Sequence, residues 1–137
     1  MIVIGQTACM NEQVGQPAVV QAYAAVQALE QMVLYQVAEG DPAHEDFYAL
    51  GDAVAGVVEQ VERLAVVLAD QVAAYGTGRI LREDTGGDAG ERLVLAVEHL
   101  GELRGALAAA GGSARRYRAE VGHIGVEVDR VHGSGVG

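Results

Sequence analysis

Phe47, Val54, Val61, Leu68 and Tyr75 stand seven residues apart without a break. Leu50, Val57, Leu64 and Gln71 form a second line in the same register. Two such lines, three and four residues apart, merge into one stripe only on an α-helix. The spacing therefore predicts a helix over about 42–75, a rod of roughly 50 Å at 1.5 Å per residue. Asp41 is placed to cap it, Pro42 suits its first turn, and Glu45 and Asp46 favour its positive end. Gly76-Thr77-Gly78 stops it.

Two more helices flank this one. Gly15-Gln16-Pro17 opens a helix over about 17–39, and Gly40 closes it. Val19, Val26 and Val33 recur every seven residues within it, beside Ala22, Tyr23, Leu29 and Val37. After a loop from Gly76 to Gly87, Asp88 with Glu91 three residues on begins a third helix, over about 88–121. Leu93, Leu100 and Leu107 form one of its lines, and Ala96, Leu103 and Ala110 the other. Gly111-Gly112-Ser113 has the composition of a break, yet Ala114, Val121, Tyr117 and Ile124 keep the register across it. A loop has no reason to preserve phase, so one long helix is expected, kinked at most at the glycines.

The fold class that follows is all-α: an elongated antiparallel three-helix bundle built on a long helical hairpin, as one domain over 1–132. Segments 1–16 and 122–137 are read as irregular or extended. The first helix, at about 35 Å, covers the second only as far as Leu64. Beyond it the hairpin tip is apolar all round, in Leu64-Ala-Val-Val-Leu-Ala69 and Leu93-Val-Leu-Ala-Val97. If the two runs sit level, Val66, Val67, Val94 and Leu95 form a belt that two helices cannot cover for each other. Either segment 1–16 covers it or another chain does, most simply a second copy completing a four-helix bundle.

Composition narrows the partners. The net charge is −10. Residues 1–78 carry ten acids against Arg63 alone. Such a surface opposes a phosphate backbone and repels an anionic membrane. The most apolar stretch, 53–74, carries Glu59, Glu62, Arg63 and Asp70, which excludes an ordinary spanning helix. Cys9 is the single cysteine, so no internal disulfide forms and the cytoplasm is the expected location. It lies where no base can be placed beside it.

The candidates for chemistry are sparse. Glu120-x-x-His123 has the spacing of one half of a di-iron carboxylate site, without the second half. His44-Glu45-Asp46 is rich in ligand atoms, but acids belong in a first helical turn for dipole reasons. Gly76-Thr-Gly-Arg79 with Thr85-Gly-Gly-Asp88 has the glycines of an anion nest, without the strand of a phosphate loop. Arg79, Ile80, Leu81 and Arg82 in the same loop form a candidate docking segment for a protein. Tyr35, Phe47, Tyr48 and Tyr117 gather at the opposite end, with Arg115, Arg116 and Arg118 near Glu45, Asp46 and Asp52. Tyr48-x-x-x-Asp52 resembles an export signal of small secreted helical hairpins. It sits at a helix start, and the tryptophan-glycine turn of those proteins is missing.

These residues indicate a non-enzymatic helical interaction protein: an adaptor, assembly factor or scaffold subunit. It needs no cofactor and no metal, self-associates as a dimer through Val66, Val67, Val94 and Leu95, and is open to a different protein partner. The alternatives are a ligand- or metal-binding bundle using the aromatic and acidic end, and a secreted hairpin.

Overall fold

The computed structural model describes residues 16–125 and 127. The expectations for segment 1–15, for Cys9 and for the tail from 128 lie outside the described residues. Three α-helices and no strand occur among the described residues: α1 (Pro17–Ala38), α2 (His44–Ala74) and α3 (Ala89–Gly122). The chain divides after Pro42 into two units.

The first unit is α1. It opens as the sequence indicates, with Pro17 in its first turn. Its last turn is closed by the Glu39 N–H, which donates to the carbonyls of Tyr35 and Gln36.

The second unit is a helical hairpin in which α2 packs along α3. Asp41 does not cap α2. The helix begins at His44 behind Ala43, whose N–H donates to the Asp46 carboxylate over 3.2 Å. Alanine has no side-chain acceptor to return the bond, so this cap is half a capping box. Asp41 and Pro42 precede the helix, and the Asp41 N–H donates to Glu39. Asp88 caps α3 as expected, its Oδ1 accepting from the Gly90 N–H over 2.8 Å. The α3 helix runs unbroken through Gly111, Gly112 and Ser113.

The seam between α2 and α3 is made of small residues. Gly51, Ala55, Ala65 and Gly111 are its buried positions. Val58, Ala69 and Val72 of α2 and Leu93, Leu100, Leu107, Ala114 and Val121 of α3 are half-buried along the same lines. Glu62 interrupts the α2 line and stays partly exposed. The large heptad residues expected to fill this seam do not. Phe47, Val54, Val57, Val61, Leu64, Leu68 and Tyr75 all remain exposed, from 37% to 50%. The physical reason is distance. Helices approach to 8–10 Å according to the side chains between them, and a Gly/Ala line permits the near end of that range. The bulkier line then lies about 100° round α2, at 100° per residue, and points out of the contact.

Candidate interaction surface

The two ends of the hairpin are built differently. At the end where α2 starts and α3 finishes, rings pack on glycines. A Cβ on Gly51 would stand 2.7 Å from Cε2 of Tyr117, and one on Gly122 would stand 3.3 Å from Cε2 of Tyr48. The Tyr117 hydroxyl donates to the Phe47 carbonyl over 3.2 Å, and the Arg118 guanidinium donates to Asp52. Phe47, Tyr48, Tyr117, Arg118 and Asp52 thus come together as the sequence indicates. Tyr35 belongs to the other unit. Rings seated on bare backbone fix the hairpin register here.

Register follows from these contacts. Tyr117 and Arg118 lie at Gly51, Val58 lies at Gly111, and Leu93 lies at Gly76. One step forward along α2 is therefore met by one step back along α3. This corrects the level expected for the two apolar runs. Leu64–Ala69 stands opposite residues 100–105, whereas Leu93–Val97 stands opposite 72–76. The runs are offset by about 11 Å along the axis. Val66 and Val67 sit in the first patch, Val94 and Leu95 in the second. Val66 is half-buried; Val67, Val94 and Leu95 are 49%, 59% and 43% exposed. The four do not form one spot. Val66 and Val94 lie on one side of the seam, and Val67 and Leu95 on the outer backs of the two helices.

The surface that is continuous is the outward heptad line: Leu50, Val54, Val57, Val61, Leu64, Leu68 and Tyr75. The same helical geometry brings exposed Leu103 and Tyr117 of α3 to that side. No charged side chain falls on the α2 line between Leu50 and Tyr75. It ends at the tip in an open apolar groove lined by Leu68, Gln71, Val72, Tyr75 and Leu93. A second groove, on the other side of the seam, is lined in part by Ala73, Gly90, Val94 and Val97.

The loop between the helices is more ordered than a flexible connector. Gly78, at φ +73°, makes the turn that ends α2, a conformation only glycine adopts without strain. The Arg79 guanidinium donates to the Tyr75 carbonyl over 2.8 Å and lies 4.3 Å over the Tyr75 ring. That closes the helix C-terminus with a cation. Leu81 is half-buried beside Gly76, while Ile80 is wholly exposed and Arg82 exposed. Helical periodicity does not single out Glu83. Its carboxylate accepts from the Thr85 N–H at 3.0 Å, the Thr85 hydroxyl at 2.5 Å and the Gly87 N–H at 2.7 Å, with Arg92 at 3.9 Å. The hydrogen bonds from the Thr85 hydroxyl and then the two N–H groups hold its pKa below the ordinary carboxylate value. The loop's anion nest is therefore filled by the chain's own anion. The alternating Glu-x-Thr-x-Gly spacing is the signal that could have shown it.

No three His, Cys, Asp or Glu side chains among the described residues gather as a metal site would require. His99 Nδ1 pairs with Glu102 at 2.7 Å on an exposed face. No helix among the described residues is long and apolar enough to cross a membrane. Comparison with protein families, curated proteins and solved structures gives no match for this chain.

Proposed function

We propose that this chain is a non-enzymatic helical interaction protein, an adaptor, assembly or scaffold subunit, that self-associates through its hairpin. The observation that supports this most is the outward heptad line of α2. A helix that is apolar towards α3 and apolar again about 100° away is patterned for more than one neighbour, and beyond Leu64 the length of α1 leaves that second face to another chain. Val67 and Leu95 border this face at the tip and belong to the interface. Val94, which lines the second groove, and Val66, further along the same side, extend the apolar belt there, where a different protein can dock. The acidic charge keeps nucleic acid and anionic membrane out of this role. A cytoplasmic location belongs to the same reading and is supported by the single cysteine, which allows no internal disulfide.

Val67→Asp and Leu95→Glu test the reading. Both residues are exposed, so the charge costs the hairpin little while it lies in the path of the second copy. Sedimentation velocity should show each variant shifted towards a monomer, with an unchanged helical circular dichroism spectrum. Variants that keep the mass of the parent would remove the tip from the interface.

A further inference from the structure

We infer that the second groove at the hairpin tip, around Val94, takes an amphipathic helix of a different protein that carries arginine or lysine beside its apolar anchors. The inference rests on the docking role proposed above for that side of the hairpin and names the partner's chemistry.

Val94 is 59% exposed and lies at the junction of two clefts. One is lined by Ala73, Gly76, Leu93 and Val97, the other by Leu95, and Gly90 and Val94 line both. The shared residues make the two clefts one surface. Gly76 and Gly90 add no side chain to it, so an incoming apolar group can approach the backbone. Along α3 the surface runs from Asp88 to Glu98, about 15 Å, which matches about three turns of a docked helix.

The rim decides the charge of the occupant. Asp88, Glu91 and Glu98 line the same clefts, and no arginine, lysine or histidine does. Asp88 is engaged by the Gly90 N–H, whereas Glu91 and Glu98 have no hydrogen-bond or ion-pair partner among the described residues. Arg92, beside Glu91 in sequence, is drawn to Glu83 at 3.9 Å. The chain's own first helix brings no cation to such a rim. Residues 1–42 contain no arginine, lysine or histidine, and the one charged side chain of α1 is Glu30. A second copy brings a net charge of −10. Its densest cations, Arg115, Arg116 and Arg118, lie at the other end of the hairpin, where Ser113 holds Arg116 and Asp52 holds Arg118. A basic segment of another protein meets neither obstacle, and an acidic rim speeds its encounter and selects it among partners.

The form of the segment follows from the walls. The backbone N–H and C=O groups of α2 and α3 are used within the helices, so no sheet edge is offered to an extended strand. No aromatic ring lines the clefts, as recognition of a polyproline segment requires. A helix that lays aliphatic anchors one turn apart into an apolar groove needs neither.

Fluorescence anisotropy on the full chain tests the inference. The probe is a labelled synthetic amphipathic peptide of about 14 residues, with leucines three and four apart and lysines on both flanks. One control carries glutamate for every lysine. A second keeps the probe's composition but scatters the leucines round the helix. The expected result is saturable binding of the probe alone. Glu91→Gln combined with Glu98→Gln should weaken it about tenfold, as should Val94→Ser. Glu59→Gln combined with Glu120→Gln, which removes the same charge away from the tip, should leave it unchanged. Equal binding of the scattered peptide, or equal weakening by both double variants, reduces the effect to bulk charge and overturns the inference. Equal binding of the glutamate peptide overturns the basic partner and leaves docking at this groove standing. Binding of no peptide removes both, while self-association is judged separately from the mass of the protein.

Discussion

Gly51 and Gly56 lie five residues apart on α2 and face opposite demands. A Cβ at Gly51 would collide with the Tyr117 ring, while one at Gly56 would meet nothing within 4 Å. Gly51→Ala must push the ring off the seam and break its hydroxyl's bond to Phe47, so a loss of about 1–3 kcal/mol is expected. Gly56→Ala removes only backbone freedom of the unfolded chain and should add about 0.5–1 kcal/mol. Urea unfolding of the two variants beside the parent checks both signs. If Gly51→Ala also stabilises, Tyr117 does not depend on that glycine. Glu83 makes a second residue-level prediction. Its pKa is lowered from 4.5, so its contribution is complete above 4.5 and is lost as pH falls through the lower folded value. The Gly87 amide resonance should titrate with a midpoint below 4.5. A midpoint at or above that value would mean the carboxylate does not hold the loop.

At the scale of elements, the pattern that marks a helix was legible and the pattern that marks its neighbour was not. Register through Gly111-Gly112-Ser113 correctly indicated one continuous α3, because phase is a property of the helix itself. Of the two α3 lines, Leu93, Leu100, Leu107, Ala114 and Val121 are half-buried along α2, whereas Leu103 and Ala110 of the companion line are exposed. On α2 the eye follows the large residues, Phe47 to Tyr75, yet α3 packs on Gly51, Ala55 and Ala65. Small residues carry a weak hydropathy signal but permit the closest approach, and closeness decided the seam. Asp41 was misjudged for a related reason. A capping side chain and a proline fix where a helix can start, and here Asp46, reaching back to Ala43, sets the start two residues later than a cap at Asp41 implies. The loop was legible only as a break. Its order depends on the Glu83 and Arg79 contacts, which no periodicity encodes.

For the whole molecule, the candidate site was half visible. The tip residues Val67, Val94 and Leu95 are exposed apolar positions, as their sequence run suggested. The outward α2 line has the spacing of an interior seam, and only the contact of α2 with α3 shows that it is turned away from α3. A hairpin closed by small residues hides little apolar area by itself, and a domain of this size depends on burying more.

The most direct measurement is the mass of the wild-type chain and of Leu64→Glu by light scattering during size-exclusion chromatography. Leu64 lies in the middle of the outward line, 44% exposed and clear of the α3 seam. The account predicts a wild type at twice 14.2 kDa and a variant at 14.2 kDa that keeps its helical spectrum. A wild type already at 14.2 kDa, or a variant that unfolds, would contradict it: in the first case no second copy covers the face, and in the second Leu64 is core.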